Sequence, residues 1–357
     1  MSSDRPTPPR ATVVFLSDAD PDPDRSDDSL GAALAAASSD PGAASLDVHV
    51  ASAPSPGATD DEIVTAVVKA IRASGASRWL LAASGARVDA VSQTVARILS
   101  GEAGVFGLAG VVVTSPGDFD GVPTLVLDDA SASASASGES PVEAIATFWR
   151  DRAGLGPTMS LDFAEVIAST RTSPQTRALL ARRALADDPD YRPQTLSTSQ
   201  LETLRVVADL VVPQRAPWPG AELDLAARID VDQNLGRSDG WRNNALPPDR
   251  EAYRRGLDAL ADLRLLGVDD QRARVAALVA GEFEPPAGEM TAEQMQLWFE
   301  DARVDLVRAW LAHPATMERI GFDGFANGGP GGALFQGFDL LGADRREQWE
   351  PTMEVVR

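Results

Sequence analysis

Between residues 11 and 151, five short apolar runs alternate with stretches of helical period, and this alternation limits what the chain can fold into more than any other feature. The runs are residues 13–16, 46–50, 79–82, 108–113 and 124–127, each bounded by Gly, Pro, Asp or Ser and with β-branched residues common among them. They predict buried parallel strands. Between them Ile63, Val67 and Ile71 recur every four residues, and Val88, Val91, Val95 and Leu99 every three or four, so each set predicts one buried helical stripe. Right-handed crossovers then give an α/β domain with a mostly parallel sheet, closed by a helix over 141–152. The acidic, proline-rich stretch 18–24 and the Ser-Ala repeat at 131–137 are expected to be solvated loops.

After Gly154 strand-like runs become scarce and the period changes to that of helices. Ser199 followed by Glu202 reads as a capping box, ahead of an apolar face of Leu201, Leu204, Ala208 and Val211 that Pro213 terminates. Thr291 and Gln294 repeat the signal before Met295, Trp298, Ala302, Leu306 and Trp310, and Tyr253, Leu257 and Leu260 mark a helix between. The expected organisation is an α/β domain over 1–155, a helical linker over 156–195 and a helical domain over 196–357. The last part ends in a tail rich in glycine and aromatics, which is expected to order against its own chain or a partner.

Composition narrows the chemistry. The 357 residues carry a formal charge of −21, with 10 basic and 21 acidic side chains in 1–155 and 22 and 32 in the rest. Neither part offers a basic footprint for phosphate backbones, so no nucleic-acid partner is expected. With no cysteine, the chain has no disulfide, thiolate nucleophile or thiolate metal site. No run of 18 or more apolar residues occurs, and the polar start of the chain has no export signal, so a cytoplasmic protein without a membrane span is expected.

Trp79-Leu-Leu-Ala-Ala-Ser-Gly85 has the outline of a strand entering a nucleophile elbow. Together with 107–116 and 122–127, which look like the two core strands after a nucleophile, it resembles the α/β-hydrolase fold in reduced form. Aligned on Gly85, however, the nucleophile position falls on Ala83, and Ser84 is one place out of register. Asp128 or Asp129 could take the acid position, but no histidine lies between His49 and His313 to act as base. A non-catalytic domain is therefore expected. Any hydrolase would have to act through Ser84 or an unrecognised nucleophile.

Other sites are poorly supported. Glycine-rich phosphate fingerprints are missing from the sequence. Asp18, Asp20 and Asp22 begin at calcium-loop spacing, but Pro23 and Ser29 stand where glycine and glutamate belong, so no metal site is expected. His49 alternates with valines and reads as a strand residue. His313 reads as a favourable charge at the end of the Trp310 helix.

Residues 195–213, with their helix ending in Val-Val-Pro, then Pro219-Gly-Ala221 and 225–235, and finally Trp310-Leu-Ala-His-Pro together with Ile320-Gly-Phe322, resemble the gluconate 2-dehydrogenase subunit 3 family in order, over about 195–350. The resemblance implies a non-catalytic small subunit that supports folding, assembly or export of a large flavoprotein. That partner would belong to the glucose-methanol-choline (GMC) oxidoreductases, with FAD in the partner and no cofactor on this chain. Contact with it is expected through Trp310, His313, Phe322, Phe325, Asn327, Phe335 and Trp349. The chain departs from the family in lacking a twin-arginine signal and in carrying the α/β domain, which suggests an added docking surface. A self-contained scaffold, with the aromatic tail packed on its own α/β domain, is a further alternative.

Overall fold

The computed structural model describes residues 10–17, 29–39, 46–52, 58–83, 87–127, 140–170, 172–237, 244–287 and 290–322. They divide between two compact units, one holding the described residues of Arg10–Trp149 and Thr158–Leu185 and those of 318–322, the other those of Arg150–Pro157 and Ala186–Met317.

The α/β unit is built on five parallel strands, β1 (Ala11–Ser17), β2 (Leu46–Ser52), β3 (Trp79–Ala83), β4 (Leu108–Val113) and β5 (Thr124–Val126), in the order β2-β1-β3-β4-β5. This is a doubly wound order whose switch point lies between β1 and β3. Helices α1 (Ser29–Ser39), α2 (Asp60–Ser74) and α3 (Val88–Leu99) link the first four strands in turn. The stripes expected from spacing are the buried faces of α2 and α3.

Burial departs from the sequence reading at the sheet edges. The central strands β1, β3 and β4 are buried almost throughout, whereas β2 and β5 leave Val50 43% and Val126 38% exposed. Edge strands have a neighbour on one side only, so their side chains are less completely covered. The β4–β5 crossover, residues 114–123, contains no helix; Phe119 is buried there, and the Ser92 hydroxyl on α3 donates to the Asp118 carbonyl at 2.6 Å. Helix α4 (Pro141–Phe148) starts from a Ser140–Glu143 capping box and continues as a π turn over Trp149–Ala153.

Two helices from the stretch expected to be a linker, α5 (Leu161–Ala168) and α6 (Pro174–Arg183), belong to the α/β unit. Arg177 shows why. Its side chain is 5% exposed and donates to the carbonyls of Ile167 (3.2 Å), Ser169 (2.8 Å), Thr172 (3.1 Å) and Gly101. Gly101 follows the end of α3, and Ile167 and Ser169 lie at the end of α5, so one guanidinium sits at the negative ends of two helices. Gly101 permits the approach: at φ 78°, a Cβ there would stand 2.0 Å from the Pro174 carbonyl oxygen. At the start of α5, the Ser160 amide donates to the Glu318 carboxylate at 2.9 Å.

The helical unit comprises α7 (Thr198–Val211), α8 (Leu225–Leu235), α9 (Asp249–Ala259), a 3-10 turn at Leu263–Leu265, α10 (Val268–Ala280) and α11 (Ala292–Leu311), with α12 (Pro314–Arg319) following. The α7 capping box is Ser197 with Gln200, two residues before the expected pair. Glu202 instead faces Arg264 at 2.7 Å. Thr291 and Gln294 do cap α11. The core gathers Leu204, Val207, Leu257, Met295, Phe299 and Leu306 around Trp298, whose ring meets Tyr253 edge-on at 5.9 Å. Gly256 makes room for that indole, since a Cβ would fall 2.4 Å from the ring.

Candidate functional site

The elbow-like segment is described only on its flanks. β3 ends at the buried Ala83 and α3 begins after Arg87, while Ser84, Gly85, Asp128 and Asp129 lie outside the described residues, as do Asp18, Asp20 and Asp22. His49 is a strand residue as expected. It pairs with Val14, which pairs with Leu81, so its imidazole stands on the edge strand, level with the middle of β3. There His49 Nε2 lies 3.2 Å from the Asp47 carboxylate. Just before β3, the Arg78 guanidinium lies 5.7 Å from the Trp149 ring centre, and burial lowers its pKa to about 10.

Of the expected partner contacts, the structure brings together Trp310 and His313 at the end of α11. Trp310 is half-buried, its ring 5.9 Å from that of Trp218, and its Nε1 is buried without a hydrogen-bond partner among the described residues. His313 is 2% exposed and stands just past the end of α11, as expected, where it makes a further contact that the sequence did not show. α11 stops at Leu311, and the His313 Nδ1 accepts from the Ala315 amide at 3.2 Å while its carbonyl accepts from Thr316 and Met317. It therefore caps the start of α12. Pro314 fits the first position of α12 for the usual reason, that no amide is needed there. A side chain so buried offers a partner almost no surface.

Phe322 is 47% exposed, whereas Phe325, Asn327, Phe335 and Trp349 lie outside the described residues. Trp218, which sequence reasoning did not single out, packs beside Trp310. Its signal was a lone tryptophan just before Pro219-Gly220, near the end of α7.

The strongest polar constellation of the helical unit is a buried carboxylate. Asp230 on α8 is 0% exposed and accepts from the Tyr191 hydroxyl (2.6 Å) and the amides of Gln194 (2.6 Å), Thr195 (3.1 Å) and Leu196 (2.7 Å). Both oxygens are thereby committed to holding the strap that leads into α7. Burial, reinforced by Asp230, raises the Tyr191 phenol well above its ordinary range. Beside it, Asp187 accepts from Arg228 Nε and the Asp224 amide, both at 2.8 Å. Burial raises the Asp187 carboxyl against the opposing pull of Arg228. Tyr253, buried and donating to Asp305 at 2.8 Å, is likewise raised by burial first and the carboxylate second.

Sequence reasoning also missed α10 and the turn before it. Leu265 is 82%, Val268 56% and Val279 53% exposed. The seven- and four-residue spacing of Val268, Val275 and Val279 was the available signal. No cluster of three or more His, Cys, Asp or Glu able to hold a metal occurs among the described residues, and no described helix is long and apolar enough to cross a membrane. No protein-family model, curated protein or solved structure matches the chain.

Proposed function

We propose that the chain is a non-catalytic accessory subunit that binds and stabilises, or helps to assemble, a FAD-dependent GMC-type sugar or alcohol dehydrogenase or oxidase. One contrast within the helical unit carries the reading. Its most buried carboxylate, Asp230, is saturated by four structural hydrogen bonds, while large apolar side chains stand open on α10 and the turn before it. Buried polar groups already engaged in holding backbone are not available to a substrate, and exposed apolar side chains favour association.

The resemblance to gluconate 2-dehydrogenase subunit 3 supplies the kind of partner. The residues that carry it include the Pro213 stop of α7 and the His313-Pro314 start of α12, which are features that position helices. FAD belongs to the partner in this reading. The test is purification of the full chain from its own cells. A flavoprotein of the GMC type, recognised by flavin absorbance and peptide sequencing, is the expected companion. A colourless, solitary protein that changes neither yield nor activity of such an enzyme on co-expression would contradict it.

A further inference from the structure

We propose that the outward strip of α11 is a self-association surface, on which a second copy of this chain lays its own α11 antiparallel about a two-fold axis at Val304. The proposal goes beyond the accessory-subunit reading and does not depend on it. α11 is the longest helix among the described residues, and it carries apolar side chains on two opposite sides. Met295, Trp298, Phe299, Ala302 and Leu306 face the core of the helical unit. At about 100° per residue, Val304 points about 180° away from Met295, and Leu311, two turns further on, lies within about 20° of Val304. Val304 is 42% and Leu311 38% exposed. Val307 sits between them at three- and four-residue spacing, its inner side on the core, and Leu297, also half-buried, ends the same line. One stripe is enough to seat a surface helix, so the open side chains of the second are left for another contact.

Charge selects a second copy as the occupant. The exposed charged residues of α11 are Glu293, Glu300, Arg303 and Arg308, two of each sign on a chain of formal charge −21. A partner of one sign would meet its own sign at two of the four. Glu300 stands four residues before Val304 and Arg308 four residues after it. An antiparallel two-fold contact centred on Val304 therefore brings each Glu300 up to the Arg308 of the other copy, and Leu297 up to Leu311, because the same patch is used twice. Half-buried Asp301 gives that arginine a second acid within reach, whereas Asp305 is held by Tyr253 at 2.8 Å. Parallel pairing would instead set Glu300 beside Glu300 and Arg308 beside Arg308. Within one helix Arg303 meets Glu300 at 2.6 Å and Arg308 meets Asp305 at 3.3 Å, solvent-facing pairs that exchange at little cost. One helix-to-helix contact of about three turns is smaller than the roughly 800 Å² per partner of a standard interface, so the dimer is weak and depends on concentration.

Because the chain has no cysteine, a single introduced thiol reports its own neighbour. The full chain carrying Val304→Cys is oxidised mildly and the disulfide-linked dimer followed on non-reducing gels, with Val279→Cys on α10, 53% exposed, as control. The expected result is a dimer forming about tenfold faster at 304 than at 279 and slowing on dilution. Leu311→Cys should cross-link no faster than the control, since the antiparallel contact leaves those two thiols about 21 Å apart along the helix. Glu300→Arg or Arg308→Glu, each added to Val304→Cys, should slow the reaction, and the two together should restore it. Sedimentation of the unsubstituted chain should show a mass that climbs above 37.6 kDa with concentration. Equal rates at 304 and 279, fast cross-linking of Leu311→Cys, a double exchange no better than either single one, or a monomer mass at every concentration overturns the proposal.

Discussion

Arg177 holds a full positive charge with 5% of its surface open, and its hydrogen-bond acceptors are backbone carbonyls. Burial pulls its pKa below the ordinary guanidinium value, and the aligned carbonyls at two helix ends supply the negative potential that keeps the charge there. Arg177→Met leaves those acceptors without a donor and should lower stability by about 3 kcal/mol or more in denaturant titration. Arg177→Lys should recover only part of that, because an ammonium cannot reproduce the fork of donors. A loss below about 1 kcal/mol would mean the clamp is dispensable. Asp230 poses the complementary case. Asp230→Asn keeps the shape but turns an amide group towards backbone donors, with an expected cost of about 2–3 kcal/mol, and a neutral outcome would remove it as the anchor of the 191–196 strap. Neither role was legible in sequence, where Arg177 and Asp230 look like any other charged residue of a helix. Their partners lie in other segments, and only the folded chain brings those segments together.

Helices and strands were more legible than their surroundings. Period-four valines and isoleucines located α2 and α3, and the five apolar runs located the sheet, because backbone geometry alone dictates those repeats. Which strand becomes an edge, and which capping signal is used, depends on neighbours. Ser197 prevails over Ser199 at α7, and its Gln200 partner also reaches Asp258 on α9 at 2.9 Å, a contact no local pattern encodes. The exposure on α10 was missed for a similar reason: spacing shows that Val268, Val275 and Val279 share a side, but not that Val275 packs against the core while the other two stand open. Capping boxes also give a pH signature. Thr59 holds the Glu62 carboxyl below its ordinary 4.5, through its backbone amide first and its hydroxyl second. Because the folded value lies below the unfolded one, the stabilisation is fully present above 4.5 and fades as pH falls through the depressed value. Glu62→Gln should flatten that part of the acid-unfolding curve. An unchanged pH dependence would show that the box does not form in solution.

For the whole molecule the dominant long-range term is charge. With 53 acidic against 32 basic side chains, self-repulsion opposes compaction, while exposed ion pairs each contribute about 0–1 kcal/mol at most. Screening by salt weakens both. The excess of one sign makes the repulsion the larger effect, so thermal stability should rise as ionic strength goes from about 0.05 M to about 0.5 M. A falling midpoint would mean that the ion pairs outweigh the repulsion. The same charge disfavours nucleic acid and anionic lipid as partners of the accessory subunit proposed above. The most direct measurement of that account is the mass and flavin content of the species containing this chain when it is isolated from its own cells at low salt. The account predicts a complex heavier than the 37.6 kDa chain, with bound FAD carried by a second, larger polypeptide. A flavin-free particle containing only copies of this chain would contradict it.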